Sequence, residues 1–580
     1  MLTFSTVATC FEQLERTSSR KQLTELLSGL LGQVEPDEIA EVAYLLQGRV
    51  APLYEPVEFG LGQRSVEKAV AQAFGVSAEE VRQRDAKAGD IGLVVAELAP
   101  SGGTGRERTV HDVFAGLRDI AGMSGPGSAD RKLAGLTGLL EGLDSVSAKH
   151  LVRIPLGASR LGIGDATVLA ALNQARLSGT KPDQVALEDA YNRTSDLGLL
   201  GHTLWTGGLE AVKTLDVEVG RPIRPQLAER LPDVPSLLDK LGGKAHAQYK
   251  FDGVRVQLHL DRSWPEGEQV KLFSRSLESM TSMFPELVEG VLKQVNAQTA
   301  ILDSEALAFN PASEEFLPFQ ETTRRRRKTG IDDIQTELPI KGMVFDIMYL
   351  NGEPLLARPL HERIDTLTGA VRGSEVLQAE KGVVLSDPDK LEAMFEDALE
   401  RGLEGLVVKR VDSPYQAGSR NFNWVKLKKH SRGALNDTID CVLIGYFLGR
   451  GKRAELGVGA LLVGVYDKEN DQFVSITKIG TGLGDEQWRE VGERAAPYRS
   501  DVRPARVQSL ITPSVWLEPK IVVEVLADEI TKSPNHSAGY ALRFPRVIRF
   551  RDADKQPEDA TTLTEIVELF QQQYTRPASS

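Results

Sequence analysis

Lys250-Phe251-Asp252-Gly253 is the stretch on which the reading of this chain turns. If Tyr249–Asp252 is extended, residues two apart share a face, so Lys250 and Asp252 look the same way. Gly253 then permits a turn or a close approach of backbone. A lysine on a strand facing a cleft is a candidate nucleophile. Its ordinary pKa of about 10.4 leaves it protonated near neutrality. Burial or nearby cations must lower that value before the amine can attack. The bland alternative is a surface lysine ahead of a turn, and four residues alone do not decide between the two.

The residues downstream do. Phe273-Ser274-Arg275 is followed by Ile301-Leu302-Asp303-Ser304-Glu305, Val344-Phe345-Asp346, Leu403-Glu404-Gly405-Leu406-Val407-Val408-Lys409 and Trp424-Val425-Lys426-Leu427-Lys428. Each sets a charge inside or beside an apolar run of strand length. Asp303 and Glu305 share a strand face, as do Lys426 and Lys428. Burying a lone charge costs several kcal/mol, so these groups need counter-charges or a ligand. Carboxylates at Glu305 and Glu404, with cations at Lys250, Arg275, Lys426 and Lys428, suit a metal–triphosphate pocket. Strand-edge ion pairs explain any one of these motifs, and explain the ordered set poorly.

Around this set the chain reads as three parts. The 580 residues exceed one core, which stops growing near ~250–300 residues. The first ~220 residues are helical in pattern, with Phe4, Val7, Ala8, Phe11 and Leu14 at helical spacing and a Leu26, Leu27, Leu30, Leu31 stripe. That opening reads as a core helix, not as a signal peptide. Loop compositions fall at Ser101–Gly105 and Ser124–Ser128. Gly220–Pro225, with two prolines, reads as an extended linker. Beyond it Val254, Val256, Leu258 and Leu260 alternate with Arg255, Gln257 and His259, the period of a strand. From about Asn436, short strands (Cys441–Leu448, Ala460–Tyr466, Ile521–Leu526) with glycine-rich turns suit a small barrel, closed by a helix over Thr562–Tyr574.

Composition bounds the partners. Lys and Arg number 69 against 82 Asp and Glu, a net charge of −13. A surface basic overall is thereby excluded, and a local basic groove is not. Cys10 and Cys441 cannot make a disulfide framework or a four-thiolate zinc site, and they read as small buried hydrophobes. None of the eight histidines is expected to bind zinc. No apolar run approaches the ~20 residues of a membrane span.

The ordered set closely resembles the ATP-dependent DNA ligases of the archaeal and eukaryotic replicative type, which some bacteria also carry. The resemblance is specific from Ile223 to about Asp559. Arg224-Pro225-Gln226-Leu227-Ala228-Glu229-Arg230, Leu317–Gln320, Ser533–His536 and Leu542-Arg543-Phe544-Pro545-Arg546 support it, and a looser match covers Arg153–Leu169. It implies an all-α DNA-binding domain over 1–222, an α+β nucleotidyltransferase (adenylation) domain over 223–435 and an all-β OB-fold domain with a C-terminal helix over 436–580. It implies ATP as co-substrate, Mg²⁺ (or Mn²⁺) as metal and nicked double-stranded DNA as partner. A sliding clamp is an optional partner, a monomer the default state, and the cytoplasm, or the nucleoid in a prokaryote, the location. Lys250 would attack the α-phosphate of ATP, AMP would pass to the 5′-phosphate of the nick, and the 3′-hydroxyl would displace it, sealing the strand in DNA replication, repair and recombination.

Residue roles follow from the resemblance. Gln248 stands where the family normally has a Glu that recognises adenine; Gln keeps a carbonyl acceptor and loses the charge. Phe345 matches the ring that stacks on adenine. Arg255 and Arg275 match residues contacting AMP and the nicked phosphate. Glu305 matches a carboxylate near ribose and metal, and Glu404 a metal carboxylate. Arg420, Lys426 and Lys428 match phosphate contacts. Arg543 and Arg546 match residues orienting pyrophosphate, and almost 300 residues separate Arg543 from Lys250, so a moving domain must deliver them. Arg324–Lys328 and the basic stretch to Arg432 are expected to face DNA in part.

Other lysyl-nucleotidyltransferases are the competing readings. An mRNA-capping guanylyltransferase or an RNA ligase would not need ~220 helical residues ahead of the nucleophile. A NAD-dependent ligase typically carries a four-cysteine zinc module. A non-catalytic DNA clamp has no reason to keep Lys250 with both Glu305 and Glu404.

Overall fold

Thr3 caps the first helix, its hydroxyl accepting from the Thr6 amide, and Phe4, Val7, Ala8, Phe11 and Leu14 on one face of Phe4–Glu15 are all buried. Buried apolar residues recur in the helices from Arg20–Leu31 to Leu197–Lys213, and side-chain caps recur at some of them, as at Ser19, Thr109 and Thr180. These statements rest on a computed structural model, which describes the chain apart from residues 18, 103–106, 232–233, 311–314, 317–321, 323–338, 402, 429–437, 450–456, 481–482, 552–554 and 573–580. Leu317–Gln320, Arg324–Lys328, Lys429 and Arg432, and the side chains of Arg230 and Lys428, lie outside the described residues. So do residues 103–105 of the first expected loop and the last two residues of the expected C-terminal helix, which is described over Leu563–Gln572.

The chain divides into two compact units, residues 1–82 with 91–429, and residues 83–90 with 430–580. In the first, the helical region is followed by two sheets. One contains β1 (Leu227–Arg230), β2 (Ala245–Lys250), β10 (Val383–Leu385), β11 (Gly405–Arg410) and β12 (Arg420–Lys428), in the order β1-β12-β11-β2-β10. The other contains β3 (Val254–Asp261), β4 (Val270–Ser274), β5 (Thr299–Asn310), β7 (Ile340–Leu350) and β8 (Glu353–Pro354), in the order β4-β3-β5-β7-β8. Two short strands lie off that path: β6 (Glu315–Phe316) pairs β5, and β9 (Leu377–Ala379) pairs β7. Each sheet has its own apolar backing. Leu237, Leu391 and Phe395 pack with Ala247, Leu406 and Val425 of the first, and Leu287, Val291 and Leu367 pack with Leu258, Leu302 and Val344 of the second.

Ile301, Met348, Tyr415 and Trp424, with Phe345 and Val407, form a further cluster drawn from strands of both sheets. Here β3 departs from a half-exposed strand. Gln257 and His259 are as buried as Val256 and Leu258. The reason is the segment Gly220–Pro225, which lies against β3 and is no free linker. Ile223 is fully buried, its N–H donates to Gln257 Oε1 (2.8 Å), and its carbonyl accepts from Gln257 Nε2 (2.9 Å). Arg224 stacks on Tyr191 (4.4 Å) and pairs with Asp165, tying the sheets to the helical region.

The second unit carries β13 (Ile439–Leu448), β14 (Val458–Asp467), β15 (Gln472–Ile479), β16 (Arg499–Ser500), β17 (Val507–Gln508), β18 (Val515–Leu526) and β21 (Arg546–Phe550) in one sheet, with β19 (Glu529–Lys532) and β20 (Tyr540–Arg543) as a hairpin. Register shifts between Leu443 and Gly445, Val463 and Gly464, and Glu524 and Val525 mark bulges that bend this sheet about a core of Leu461, Ile476, Trp488, Val523 and Ile566. It is β-rich as expected and not all-β: besides the C-terminal helix, a helix over Asp485–Ala495 sets Trp488 into its core. Cys10 and Cys441 are both free and buried, and burial raises both thiols, Cys10 to about 11. No helix among the described residues is long and apolar enough to cross a membrane.

Candidate active site

Lys250 is the last residue of β2, which lies between β10 and β11. The strand ends there, so Phe251 and Asp252 belong to the following loop; Lys250 and Asp252 do not share a strand face as the extended reading supposed. Two glycines set carboxylates around the lysine. A Cβ on Gly253 would sit 2.3 Å from Ala306 O and 3.0 Å from Glu305 Cγ, so only glycine lets this turn press on β5 beside Glu305. Gly405, opposite Lys250 in register, has φ +137°, and a Cβ there would meet Leu427 O at 2.2 Å. That fit places Glu404, whose N–H donates to Lys250 O (3.0 Å) and whose Oε2 accepts from Lys250 Nζ.

The result is a cavity of about 480 Å³. Gln248, Lys250, Arg255, Arg275, Glu305, Phe345, Glu404, Arg420 and Lys426 all line it. Burial lowers the Lys250 pKa; Arg255 and Arg275 push the same way, while Glu305 and Asp252 oppose. Burial pushes the Glu305 carboxyl up to about 7 despite the pull of Lys250 and Arg255. A divalent cation beside that carboxyl would offset the cost of its burial. Two carboxylates plus phosphate oxygens form the donor set Mg²⁺ takes, so the residues present fit it.

Arg255 is held more firmly than its motif suggests. Its Nε and Nη2 donate to the two oxygens of Asp303 (3.0 and 2.6 Å), and its Nη1 donates to Gln226 O (2.8 Å). Tyr415 donates to Asp303 as well (2.9 Å). Arg275 and Arg420 are exposed at the rim. Lys409 and Trp424 are among the lining residues that went unassigned in the sequence. Lys409 is buried, its Nζ donates to Phe345 O (3.2 Å) and lies 4.0 Å from the Trp424 ring, and burial lowers its pKa to about 8. The signal was a lysine ending the apolar run Leu406-Val407-Val408. Behind it Asp346 and Arg363, both sealed from solvent, form a two-bond pair (2.8 and 3.1 Å).

Arg543 and Arg546 belong to the second unit, near Glu529 (3.8 Å) and Asp528 (2.8 Å). In the helical region Glu12, Glu15 and His150 bring ligand atoms within 4.8 Å of one another. Lys149 already bridges both carboxylates (2.7 and 2.9 Å) and Arg153 pairs with Glu15 (2.9 Å), so this is a buried ion-pair cluster.

Comparison with known proteins bears on the whole chain. Residues 3–173 match the family described as DNA ligase N terminus, 225–428 the ATP dependent DNA ligase domain, and 454–555 the ATP dependent DNA ligase C terminal region. A protein of Dictyoglomus turgidum named probable DNA ligase is 44% identical over 98% of both chains. The DNA ligase of Hyperthermus butylicus is 39% identical over 99% of this chain and 98% of its own. The solved structure named Pmar-Lig_PreS3, at 16% identity, shares the fold, with a TM-score of 0.53 over 94% of this chain and 99% of that one. The three matched regions, and relatives that align from end to end, establish that this chain belongs to the ATP-dependent DNA ligases.

Proposed function

We propose that Lys250 is the nucleophile of this DNA ligase. The observation that carries the reading is its Nζ, desolvated in a cavity lined by three carboxylates (Asp252, Glu305, Glu404) and five further cations (Arg255, Arg275, Lys409, Arg420, Lys426). The amine attacks the α-phosphate of ATP, a P–N bond forms and pyrophosphate leaves. AMP then moves to the 5′-phosphate of a nick, and the 3′-hydroxyl displaces it. Such transfers depend on positioning and charge neutralisation. Gln248 and Phe345 hold adenine. Arg255 supplies fixed positive charge beside the α-phosphate, and Arg275, Arg420, Lys426 and Lys428 hold phosphates. Glu305 and Glu404 would hold Mg²⁺, which neutralises phosphate charge when bound and for which Mn²⁺ can substitute. Arg543 and Arg546 orient the pyrophosphate.

We assign residues 1–222 to DNA binding, 223–435 to adenylation and 436–580 to the OB-fold domain. The protein works as a monomer in the cytoplasm or nucleoid, with a sliding clamp as an optional partner. A net charge of −13 requires the grip on DNA to be local and basic, so nick affinity should fall steeply with salt.

The test uses ATP labelled at the α-phosphate. Label should appear on the Lys250 peptide from ATP and not from GTP, and should chase onto the 5′-phosphate of an unlabelled nicked duplex. Lys250→Ala should take up no label, a loss of at least about 10³-fold. Label retained by that variant would mean another nucleophile.

A further inference from the structure

A guanidinium carries five N–H donors. Among the described residues, four of those of Arg255 have protein partners. Nε and Nη2 donate to the two oxygens of Asp303, Nη1 donates to Gln226 O, and Nη2 also reaches Tyr415 Oη (3.3 Å). One Nη1–H is left over, on a side chain that lines the cavity with Lys250. Where that last donor points depends on what holds the other four.

Tyr415 sits where these bonds meet. It is buried, and its hydroxyl accepts from the Gln226 amide (3.1 Å) as well as from Arg255. Both of those groups only donate. The single hydroxyl proton must therefore go to Asp303 Oδ2 (2.9 Å), and the oxygen has no bonding capacity left. One atom thus ties together β3, β5 and the segment ahead of β1. The hydroxyl is itself placed from elsewhere. The Tyr415 N–H donates to Leu356 O (2.8 Å), and its ring meets the Trp424 ring edge-on at 5.6 Å. Gln226 is fully buried, and its Oε1 accepts from the Gln416 N–H (2.8 Å). Removing the hydroxyl alone would leave these contacts in place and free Asp303 and Arg255 to turn together. Tyr415 is not among the residues that line the cavity, so its effect on a ligand there must pass through Arg255.

We propose that Tyr415 is a positioning residue for the adenylation step: its hydroxyl fixes the Arg255–Asp303 pair so that the remaining Nη1–H meets the α-phosphate. The proposal rests on assigning the cavity to ATP and Arg255 to the α-phosphate. Negative charge on the α-phosphate oxygens must be held in place while the amine attacks. A donor fixed beforehand counts for more in that transition state than in the ground state. An Arg255 free to swing would still attract the triphosphate, and would have to be ordered again for each reaction. The cost therefore falls on the rate and not on the affinity.

The experiment follows label transfer from ATP to Lys250 in the full chain. The maximal single-turnover rate and KM are measured separately, well below the unfolding midpoint. Tyr415→Phe should lower the maximal rate by about 10–100-fold and leave KM within about threefold of the wild type. In an Arg255→Lys background the same substitution should cost less than about twofold more, because an ammonium has no fork to orient. Asp303→Asn keeps the shape of the side chain and should reproduce the fall in rate. A hydroxyl that only satisfies buried groups would lower the unfolding midpoint and leave the rate of the folded enzyme at the wild-type value, which overturns the proposal. An equal loss from Tyr415→Phe with and without the Arg255 guanidinium overturns it too. If Tyr415→Phe does not fold, an Asp303→Asn enzyme at the wild-type rate does the same. The split between rate and KM stands by itself if Arg255→Lys takes up no label. Absence of label on Lys250 in the wild type would instead sink the ATP reading, whereas a labelled wild type with an unimpaired Tyr415→Phe sinks only the positioning role.

Discussion

The two β-rich regions treat charge in opposite ways. Between the sheets of the adenylation region, Arg255, Asp303, Asp346, Arg363 and Lys409 are drawn out of water among Tyr415, Trp424 and Met348. In the C-terminal region the core of Leu461, Ile476, Trp488 and Val523 is apolar, and the ion pairs sit nearer its surface, as in Arg549–Glu524 and Arg506–Asp471. Apolar residues of similar volume would serve stability as well as buried ion pairs do, or better. The adenylation region keeps its charges because a polyanionic substrate needs fixed positive groups that do not reorganise. In the C-terminal region the ion pairs of Arg549 and Arg506 remain near water.

The largest expected way to break this contrast is Arg363→Met. It strips Asp346 of a fully buried partner and should destabilise the first unit by about 3–5 kcal/mol. Denaturant unfolding followed separately for each unit checks it, with the second unit's midpoint unmoved. Loss below about 1 kcal/mol would mean that the Asp346–Arg363 pair is hydrated in solution.

Acid offers a smaller test. Burial lowers His259 to about 3, and His150 and His246 to about 4. A histidine depressed in the folded state binds fewer protons there than in the unfolded chain. Its stabilisation is therefore complete above the unfolded value of about 6.5 and is lost as pH falls below it. From pH 7 to 5.5 each should cost about 1 kcal/mol. Glu305 and Glu380, raised by burial, work the other way. The net loss in the first unit should be about 2 kcal/mol. The second unit, where His536 is the histidine lowered by burial among the described residues, should lose less. Equal losses in the two units would erase the contrast.

The smallest effect belongs to the C-terminal region. Arg549 pairs with Glu524 from a side chain 61% exposed. Arg549→Ala should shift that unit's stability by no more than about 1 kcal/mol, and less at high salt. A larger change would show that surface pairs there carry as much as buried ones.

Much of the site was legible from the chain because its chemistry is local in sequence. Lys250, Glu305, Glu404 and Lys426 each stand in an apolar run where a charge is conspicuous, and spacing two along a strand gave the shared face of Asp303 and Glu305. The extended reading of Tyr249–Asp252 failed by two residues. Nothing in those residue types says where a strand ends; the close approach of Gly253 to Ala306 O ends it. Gln257 and His259 looked like the wet face of β3 because alternation reports polarity, not what packs against it. Ile223, 34 residues back, bonds to Gln257, and the Gly220 amide donates to His259 Nδ1.

By itself, then, the sequence determined the division into a helical region, an adenylation region and a β-rich region, and the identity of the charged groups, because periodicity and residue type act over short stretches of chain. Tertiary structure alone decided which way each group is used. Arg255 is committed to Asp303, Lys409 supports Phe345 O, and Gln248 keeps its amide toward two carbonyls from elements about 100 and 130 residues further on. A hydrogen bond depends on distance and direction between groups brought together by folding, and no local pattern carries that information.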